Sequence, residues 1–240
     1  MATHGPGRVR RIITTRRGGV STGDFDSFNL GDHVGDAPAA VAANRARLAR
    51  RLGVAASDVV WMDQVHGTRI ARVTRPTGGA VPATDGLVTD RPGLALAVLS
   101  ADCVPVLAAD EEAGVIGAAH AGRKGAVGGI VPSLIGAMTS LGARPERISV
   151  LLGPAAAGRH YELPDDLADE VEAALPGSGT RTVDGTAGVD LRAGLARQLA
   201  GLGVVRVDTD PRCTIADDSL FSYRRQGRTG RQASVILRQL

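Results

Sequence analysis

The segment "GLALAVLSADCVPVLAAD" (residues 93–110) carries the strongest information about the fold. It is almost continuously apolar, and such a run is typical of a β-strand that is buried on both faces. Asp102, Cys103 and Pro105 interrupt the run, and proline is rare in the interior of a sheet. The segment therefore predicts a buried strand that is broken near residues 102–105.

Hydrophobic patterns on both sides of this segment predict a mixed succession of strands and helices. Strands are predicted at 9–15, 59–66, 68–73, 114–120, 147–156, 204–210 and 232–240. Helices are predicted at 37–53, 126–142, 164–175 and 190–203. Because this order is too irregular for a doubly wound sheet, we expect a single mixed α/β domain over residues 11–240. Residues 1–10 are expected to form a flexible N-terminal tail.

The composition limits the class of protein. With 240 residues, of which 43% are hydrophobic, the chain can build one large domain around a full core. No segment reaches the roughly 18 apolar residues that a membrane span requires, and no apolar signal-peptide run follows the N-terminal arginines. We therefore expect a cytoplasmic protein that does not bind membranes. The net charge of +3 is only a weak indication of nucleic-acid binding.

Three side chains with metal-binding chemistry lie at predicted strand ends or breaks. They are His66 in "QVHG", Cys103 in "ADCVP" and His120 in "AAHAG". Their long spacing excludes a zinc finger, but two histidines and one cysteine form a known three-ligand set for catalytic zinc. A buried cysteine with two hydrogen-bonded core histidines explains the same residues, and the pattern alone leaves both interpretations open.

Two glycine-rich segments could bind an anion. Residues 122–129 open a predicted helix, where free N–H groups favour negative charge, and they contain Lys124, the single lysine of the chain. The segment lacks the P-loop pattern, so a solvated turn is an equal alternative. Residues 220–236 contain four arginines but only Phe221 and Tyr223 for base stacking. A small anionic ligand therefore suits this segment better than a nucleic acid.

Taken in order, several segments of the chain resemble the YfiH family, also described as the laccase-domain or polyphenol-oxidase family and as the peptidoglycan editing factor family. The matching segments are "TTRRGGVS", "FNLGDHVGD", "WMDQVHG", "TDGLVTDRPGLALAVLSADCVPVLAAD", "AAHAGRKG", "LGPAAAGRHYEL", "DLRAGLARQL" and "LFSYRRQGRTGRQASVI". They extend from about residue 12 to the C-terminus, so the resemblance covers nearly the whole chain.

The resemblance implies a single α/β domain of layered sheets and helices, distantly similar to a deamidating toxin domain. It implies zinc, rather than copper, held by His66, Cys103 and His120. The implied activities are phosphorolysis of adenosine, inosine and methylthioadenosine, and deamination of adenosine. The expected partners are a purine nucleoside and phosphate, and the expected state is a monomer or a homodimer.

Individual residues are candidates for further roles in such a site. Asp102 and His33 are candidates for proton transfer, and Asp102 is equally explained as a turn residue. The candidates for binding substrate or phosphate are Arg16, Asn29, Lys124, Arg225 and Arg231. The family usually reads "HAGWRG" where this chain reads "HAGRKG", so Lys124 keeps the charge of the usual arginine but loses its bidentate geometry.

Three other functions are compatible with these residues. A copper-dependent polyphenol oxidase is disfavoured, because a multicopper cluster uses many imidazoles and the chain has five histidines. A cysteine hydrolase would use Cys103 as its nucleophile, with His66 or His120 as base. A factor in cell-wall quality control would need no catalysis at all.

Overall fold

The computed structural model describes residues 9–239. Its strands are β1 (Val9–Ile13), β2 (Val59–Val60), β3 (Ile70–Arg72), β4 (Gly86–Thr89), β5 (Ala95–Ser100), β6 (Val104–Asp110), β7 (Val115–Ala121), β8 (Ser149–Leu152), β9 (Gly179–Arg181), β10 (Ala187–Val189), β11 (Arg206–Thr209) and β12 (Gln232–Arg238). Its helices are α1 (Pro38–Leu52), α2 (Arg123–Val127), α3 (Ile130–Thr139), α4 (Asp165–Ala174), α5 (Leu191–Gly201) and α6 (Tyr223–Gln226).

The predicted N-terminal tail needs a corrected boundary. Residues 1–8 lie outside the described residues, but Val9 and Arg10 already belong to β1 and pair with Arg238 and Leu237 of β12. Val9 and Arg10 are therefore strand residues and not part of a flexible tail, because their backbone pairs with β12.

Two stacked sheets form the centre of the molecule. One has the strand order β1-β12-β5-β2 and the other β11-β8-β6-β7-β4-β3, while β9 and β10 form a separate hairpin. The predicted break near residues 102–105 is the corner between the two sheets, since β5 belongs to the first and β6 to the second. Both strands are buried along their whole length.

Alternate residues of β5 and β6 face different layers. In β5, Leu96 and Val98 pack toward the six-stranded sheet, whereas the neighbouring residues pack toward α1. In β6, Leu107 faces the four-stranded sheet, whereas Val106 and its alternate neighbours face helices α2–α5. The domain is thus a helix–sheet–sheet–helix arrangement, which confirms the predicted mixed α/β fold and explains why these strands are continuously apolar.

Most helices match their predicted ranges, but one helix and several strands differ from theirs. The predicted helix 126–142 is two helices, α2 and α3, which separate at Gly128 and Gly129; Gly129 adopts a left-handed φ of 91° that favours glycine. The predicted strands 59–66 and 68–73 shorten to β2 and β3 because the chain between them leaves the sheets. Within residues 9–239, no helix has the length and hydrophobicity to span a membrane.

Candidate metal centre and adjoining cavity

The structure brings the three predicted metal-binding side chains together. His66 lies in the loop between β2 and β3, Cys103 at the corner between β5 and β6, and His120 near the end of β7. One ligand atom from each lies within 4.8 Å of the other two. The Cys103 Sγ atom is 3.8 Å from His66 Nε2. The imidazole ring centroids are 4.8 Å apart, with the rings nearly perpendicular.

Tight backbone geometry keeps this cluster compact. His66 adopts a left-handed φ of 61°, which is uncommon for a residue other than glycine. Gly122 lies against the cluster, and a Cβ atom there would come within 2.6 Å of His66 Cδ2 and 3.0 Å of Cys103 Sγ. A side chain at position 122 would therefore displace two of the three groups.

A buried carboxylate, Asp85, orients His120. Its Oδ1 atom is 2.9 Å from His120 Nδ1, and its side chain is fully buried. Because an ionised carboxylate can only accept, Nδ1 is the nitrogen that donates. This arrangement leaves Nε2 of His120 free to bind a metal, as is usual for histidine ligands that are hydrogen-bonded at the other nitrogen.

The thiol and the imidazole perturb one another. Burial alone would raise the pKa of Cys103, but the adjacent His120 and His66 outweigh it and lower the pKa to about 6. Burial would lower the pKa of His120, but the Cys103 thiolate and Asp85 outweigh it and raise the pKa to about 9. The lowered pKa keeps Cys103 as a thiolate at neutral pH, the form in which cysteine binds metals. The raised pKa keeps His120 protonated in the metal-free protein, so a metal must displace that proton.

The donor set fits a catalytic zinc ion. Two imidazole nitrogens and one thiolate leave one of four tetrahedral positions for water or substrate. Copper also accepts this set of donors. Within residues 9–239, this is the one group of three or more histidine, cysteine or carboxylate side chains close enough to share a metal ion.

The candidate centre opens into a cavity of about 330 Å³. Besides the three candidate ligands, its lining residues are His33, Gln64, Leu99, Ser100, Ala101, Asp102, Arg123, Tyr161, Leu191, Tyr223, Arg224 and Arg231. Apolar, aromatic and cationic side chains thus surround the cluster. Such a cavity, with a few convergent polar groups, has the character of a small-molecule site.

Three further predicted residues line this cavity. The Asp102 carboxylate accepts hydrogen bonds of 2.6 Å from the Thr214 hydroxyl and from the Arg224 backbone N–H. His33 is exposed at the cavity and lies 3.6 Å from an Asp32 carboxylate oxygen. The structure therefore places both proton-transfer candidates, Asp102 and His33, in the wall of the cavity that the cluster opens into, together with Arg231.

Two predicted anion-binding arginines have other contacts. The Arg225 guanidinium donates to the carbonyl oxygens of Thr214, Ile215, Asp217 and Leu220 at distances of 2.7 to 3.2 Å, so it is occupied in holding its own loop. Arg16 donates to the Asp26 carbonyl and stacks 4.9 Å from the Phe221 ring. Neither residue lines the cavity.

Asn29 and Lys124 also lie away from the cavity. Asn29 is fully buried and accepts hydrogen bonds from the backbone N–H groups of Gly31 and Arg231. It therefore holds the backbone of Arg231 and does not reach the cavity itself. Lys124 is exposed on α2, whereas the preceding Arg123 lines the cavity. The helix that begins at Arg123 turns successive side chains by about 100°, which separates the two cations.

Several cavity residues were not among the individual site candidates. Arg123, Arg224 and Tyr223 lie in the two segments predicted to bind an anion, but they were not selected there as site residues. Tyr161 carries no spacing signal that separates it from ordinary loop residues. Asp85 precedes a buried strand in "ATDGLVT" and resembles any turn aspartate. Its role depends on the pairing of β4 with β7, which places it opposite His120.

Comparison with known proteins agrees with this architecture. The chain is 62% identical over 229 residues to a Mycobacterium bovis protein named purine nucleoside phosphorylase, covering 95% of this chain and 92% of that protein. It is 57% identical over 230 residues to a Corynebacterium glutamicum protein of the same name, covering 95% and 94%. The crystal structure of the Bacillus licheniformis hypothetical protein YfiH matches with a TM-score of 0.90 at 35% identity, covering 96% of this chain and 93% of that one.

A family model described as "Multi-copper polyphenol oxidoreductase laccase" matches residues 10–239. The match extends over nearly the whole chain and includes all three candidate ligands and the cavity. The resemblance seen in the sequence motifs is thereby confirmed. The chain belongs to this laccase-like family, to which YfiH is also related.

Proposed function

We propose that the protein is a zinc-dependent purine nucleoside phosphorylase that also deaminates adenosine. The observation that supports it best is the cavity itself, in which the His66, Cys103 and His120 cluster shares one space with arginines and tyrosines. The name purine nucleoside phosphorylase, given to relatives that are up to 62% identical, supports the same reaction.

The cations of the cavity suit a phosphate co-substrate. Arg123, Arg224 and Arg231 line the space, and none of the ion pairs formed within residues 9–239 involves their guanidinium groups. Guanidinium groups bind phosphate oxygens through paired, charge-assisted hydrogen bonds. We assign these three arginines, in place of Lys124 and Arg225, as the anion-binding residues.

The aromatic residues suit the purine. Tyr161 and Tyr223 line the cavity, and the Arg224 guanidinium lies 5.1 Å from the centre of the Tyr161 ring. Stacking on aromatic and guanidinium faces is a common way to hold a base. A nucleoside held there would present its ribose and base to the cluster while the arginines hold phosphate nearby.

Asp102 and His33 are the proposed proton-transfer groups. Asp102 is fixed by two short hydrogen bonds at the cavity wall, which suits a group that must meet one substrate atom. Zinc, when bound by the three ligands, would supply Lewis-acid polarisation at its open position. The chain has two cysteines and they are not paired with each other, so a disulfide framework is absent from residues 9–239; this supports the cytoplasm as the proposed location.

A copper-dependent oxidase is the second candidate, and the description of the family model is the observation that favours it. The donor set accepts copper, but a multicopper centre needs several such groups. The part of the chain from residue 9 to 239 brings one group together. We therefore rank this candidate below the phosphorylase.

The test is an assay of the metal-free protein and of the protein reconstituted with zinc or copper. Each form is incubated with adenosine or inosine, with and without phosphate, and the free bases, inosine and ribose 1-phosphate are quantified. We expect base and ribose 1-phosphate to form only with metal and phosphate present, and inosine to form from adenosine without phosphate. Absence of all these products under every metal condition would overturn the proposal.

Alkylation of the two native cysteines separates metal binding from nucleophilic catalysis. Cys103 lines the cavity, whereas Cys213 is buried elsewhere, with His160 Nδ1 3.3 Å from its sulfur. Zinc should protect Cys103 from alkylation and leave the reactivity of Cys213 unchanged. Alkylation of Cys103 at the same rate with and without zinc would favour the cysteine-hydrolase alternative.

A further inference from the structure

The Asp85 carboxylate accepts four hydrogen bonds beside the candidate metal centre, and Asp85 does not line the cavity. Its Oδ1 atom accepts hydrogen bonds from the His66 backbone N–H at 3.0 Å and from His120 Nδ1 at 2.9 Å. Its Oδ2 atom accepts from the backbone N–H groups of Val65 at 3.1 Å and Gly67 at 2.8 Å. Four donors therefore occupy the four lone-pair directions of one carboxylate.

These contacts connect two of the three candidate ligands. The backbone N–H groups of Val65, His66 and Gly67 come from the loop that carries His66, and all three can only donate. The φ of 61° at His66 is a conformation that a residue other than glycine keeps only when its surroundings impose it. The three hydrogen bonds to Asp85 supply that constraint.

The other contacts of Asp85 fix His120. The His120 backbone N–H donates to the Asp85 carbonyl at 2.8 Å, because β4 and β7 pair directly beyond these residues. The carboxylate then holds Nδ1 of the same histidine. Both the backbone and the ring of His120 are thus positioned by one residue.

From these contacts we infer that Asp85 is the positioning residue of the metal centre, setting the loop conformation of His66 and the ring nitrogen that His120 offers to the ion. The inference rests on the proposed metal-dependent function and assigns a residue that binds neither substrate nor metal. Asp85 does not line the cavity; it is fully buried and immediately precedes β4.

The inference predicts a specific structural defect in the Asp85→Asn variant. Asparagine has the same shape but replaces one oxygen by an NH₂ group, which cannot accept. Either side-chain orientation sets that group against two donors: Val65 and Gly67 in one case, His66 and His120 in the other. Since no orientation preserves all four contacts, the loop or the imidazole must move.

Asp110 provides a matched control. It is also fully buried, and its carboxylate likewise accepts four hydrogen bonds, from the backbone of Glu112, Ala113 and Arg144 and from Arg147 Nε. It ends β6 at the opposite end of the strand from Cys103. Asp110→Asn therefore makes the same chemical change without touching the candidate ligands.

The experiment measures zinc affinity of the metal-free full-length proteins by competition with a chromophoric chelator. We expect Asp85→Asn to weaken zinc binding about 10- to 100-fold, the usual effect of losing a hydrogen-bond partner of a metal ligand. Asp110→Asn should bind zinc as the wild type does. Equal affinity of Asp85→Asn and wild type, or an equal loss in both variants, would overturn the inference.

A second measurement covers the case in which Asp85→Asn does not fold. Long-range ¹H–¹⁵N correlation spectra of the zinc-loaded wild type report which nitrogen of each histidine carries hydrogen. We expect His120 to carry its hydrogen on Nδ1 and to bind zinc through Nε2; the opposite assignment would overturn the inference. If the wild type binds no zinc, both the proposed metal-dependent function and the inference about Asp85 fail. If the wild type and the Asp85→Asn variant bind zinc equally well, only the role of Asp85 is rejected.

Discussion

The Thr214 hydroxyl donates a 2.6 Å hydrogen bond to the carboxylate of Asp102, across 112 residues of sequence. Asp102 itself has a left-handed φ of 104°, and its other carboxylate oxygen accepts from the Arg224 backbone N–H. The contacts tie the β5–β6 corner to the C-terminal arginine segment. They hold a carboxylate beside the cluster in a backbone conformation that is costly for aspartate.

Replacing this carboxylate should affect turnover more than metal binding. We expect Asp102→Asn to lower kcat/KM for phosphorolysis or deamination by about 10²- to 10⁴-fold, the typical contribution of a proton-transfer group. Zinc affinity should stay within a few-fold of wild type, because the three ligands are unchanged. Steady-state kinetics and chelator competition on the same preparation check both halves. Full activity of Asp102→Asn would exclude a proton-transfer role.

Arg123 and Lys124 should differ sharply although they are neighbours. Arg123 lines the cavity and Lys124 is exposed outside it. A hydrogen bond to a charged group contributes about 1.5 to 3 kcal/mol, so Arg123→Ala should raise the KM for phosphate by about 10- to 100-fold. Lys124→Ala is the matched control and should leave that KM nearly unchanged. The reverse pattern would return the anion site to Lys124.

Zinc binding should release protons in a pH-dependent way. In the metal-free protein, the pKa of Cys103 is lowered to about 6 and that of His120 is raised to about 9. Between these values the thiol has already lost its proton but the imidazole has not, so binding should release about one proton and affinity should rise with pH. Below pH 6 a second proton should be released, because the thiol is then protonated as well.

Isothermal titration calorimetry in buffers of different ionisation enthalpy counts these protons directly. A Cys103→Ala variant serves as the control and should lose the additional release below pH 6. Proton release that does not change between pH 5 and pH 8 would contradict the assignment of the two groups.

Asp110 should stabilise the fold in a pH-dependent manner. Burial opposes its charge, but hydrogen bonds from Ala113, Arg144 and Arg147 outweigh it, so the pKa of Asp110 is lowered. A group with a lowered folded-state pKa contributes stability that is present above its unfolded value of about 3.9 and is lost as pH falls through the folded value. Asp110→Asn should therefore reduce the free energy of unfolding by about 1 to 3 kcal/mol at pH 7.

Urea unfolding of wild type and Asp110→Asn at pH 7 and pH 3 tests this dependence. The difference between the two proteins should shrink at the lower pH, since the stability linked to the ionised carboxylate falls once the pH is below the unfolded pKa. A difference that is larger at pH 3 than at pH 7 would contradict the sign.

Arg225 should act on stability rather than on substrate binding. Its guanidinium donates to four backbone carbonyls of the segment 214–220. Lysine cannot reproduce a planar fork with donors on several sides, so Arg225→Lys should cost about 1 to 3 kcal/mol of stability. The KM for phosphate should remain close to wild type in the protein that is still folded. Thermal unfolding together with phosphate kinetics distinguishes this from a direct role in binding.

The sequence predicted the central strands because both of their faces are buried. The apolar runs around Leu96, Leu107 and Ile116 therefore gave correct strands and a correct break. The stacking of β5 and β6 in different sheets could not be predicted, since an apolar run does not state which layer covers each face. The predicted strand 59–66 was too long for a related reason: the apolar pattern of "VVWMDQVH" continues after the chain has left the sheet at Val60.

Chemical identity and local context pointed to three candidate site residues. Imidazoles and thiols are scarce in this chain, and His66, Cys103 and His120 each lie at a predicted strand end or break. The pattern left the metal interpretation open, and the family resemblance favoured it. Arginine is abundant, so Arg123 and Arg224 could not be separated from Arg16 and Arg225 without the cavity. Asp85 depends on a strand pairing that only the folded chain defines.

The corner between β5 and β6 has a mechanical consequence. Cys103 belongs to the short connection between the two stacked sheets, while His120 ends a central strand of one of them. A metal ion bound by both would act as a cross-link that fastens the sheet corner and closes chain segments distant in sequence. Because such an ion binds the folded chain in preference to the unfolded one, it would raise the unfolding temperature as well as support the chemistry. The fraction of protein with metal bound would then affect resistance to unfolding as well as the proposed activity.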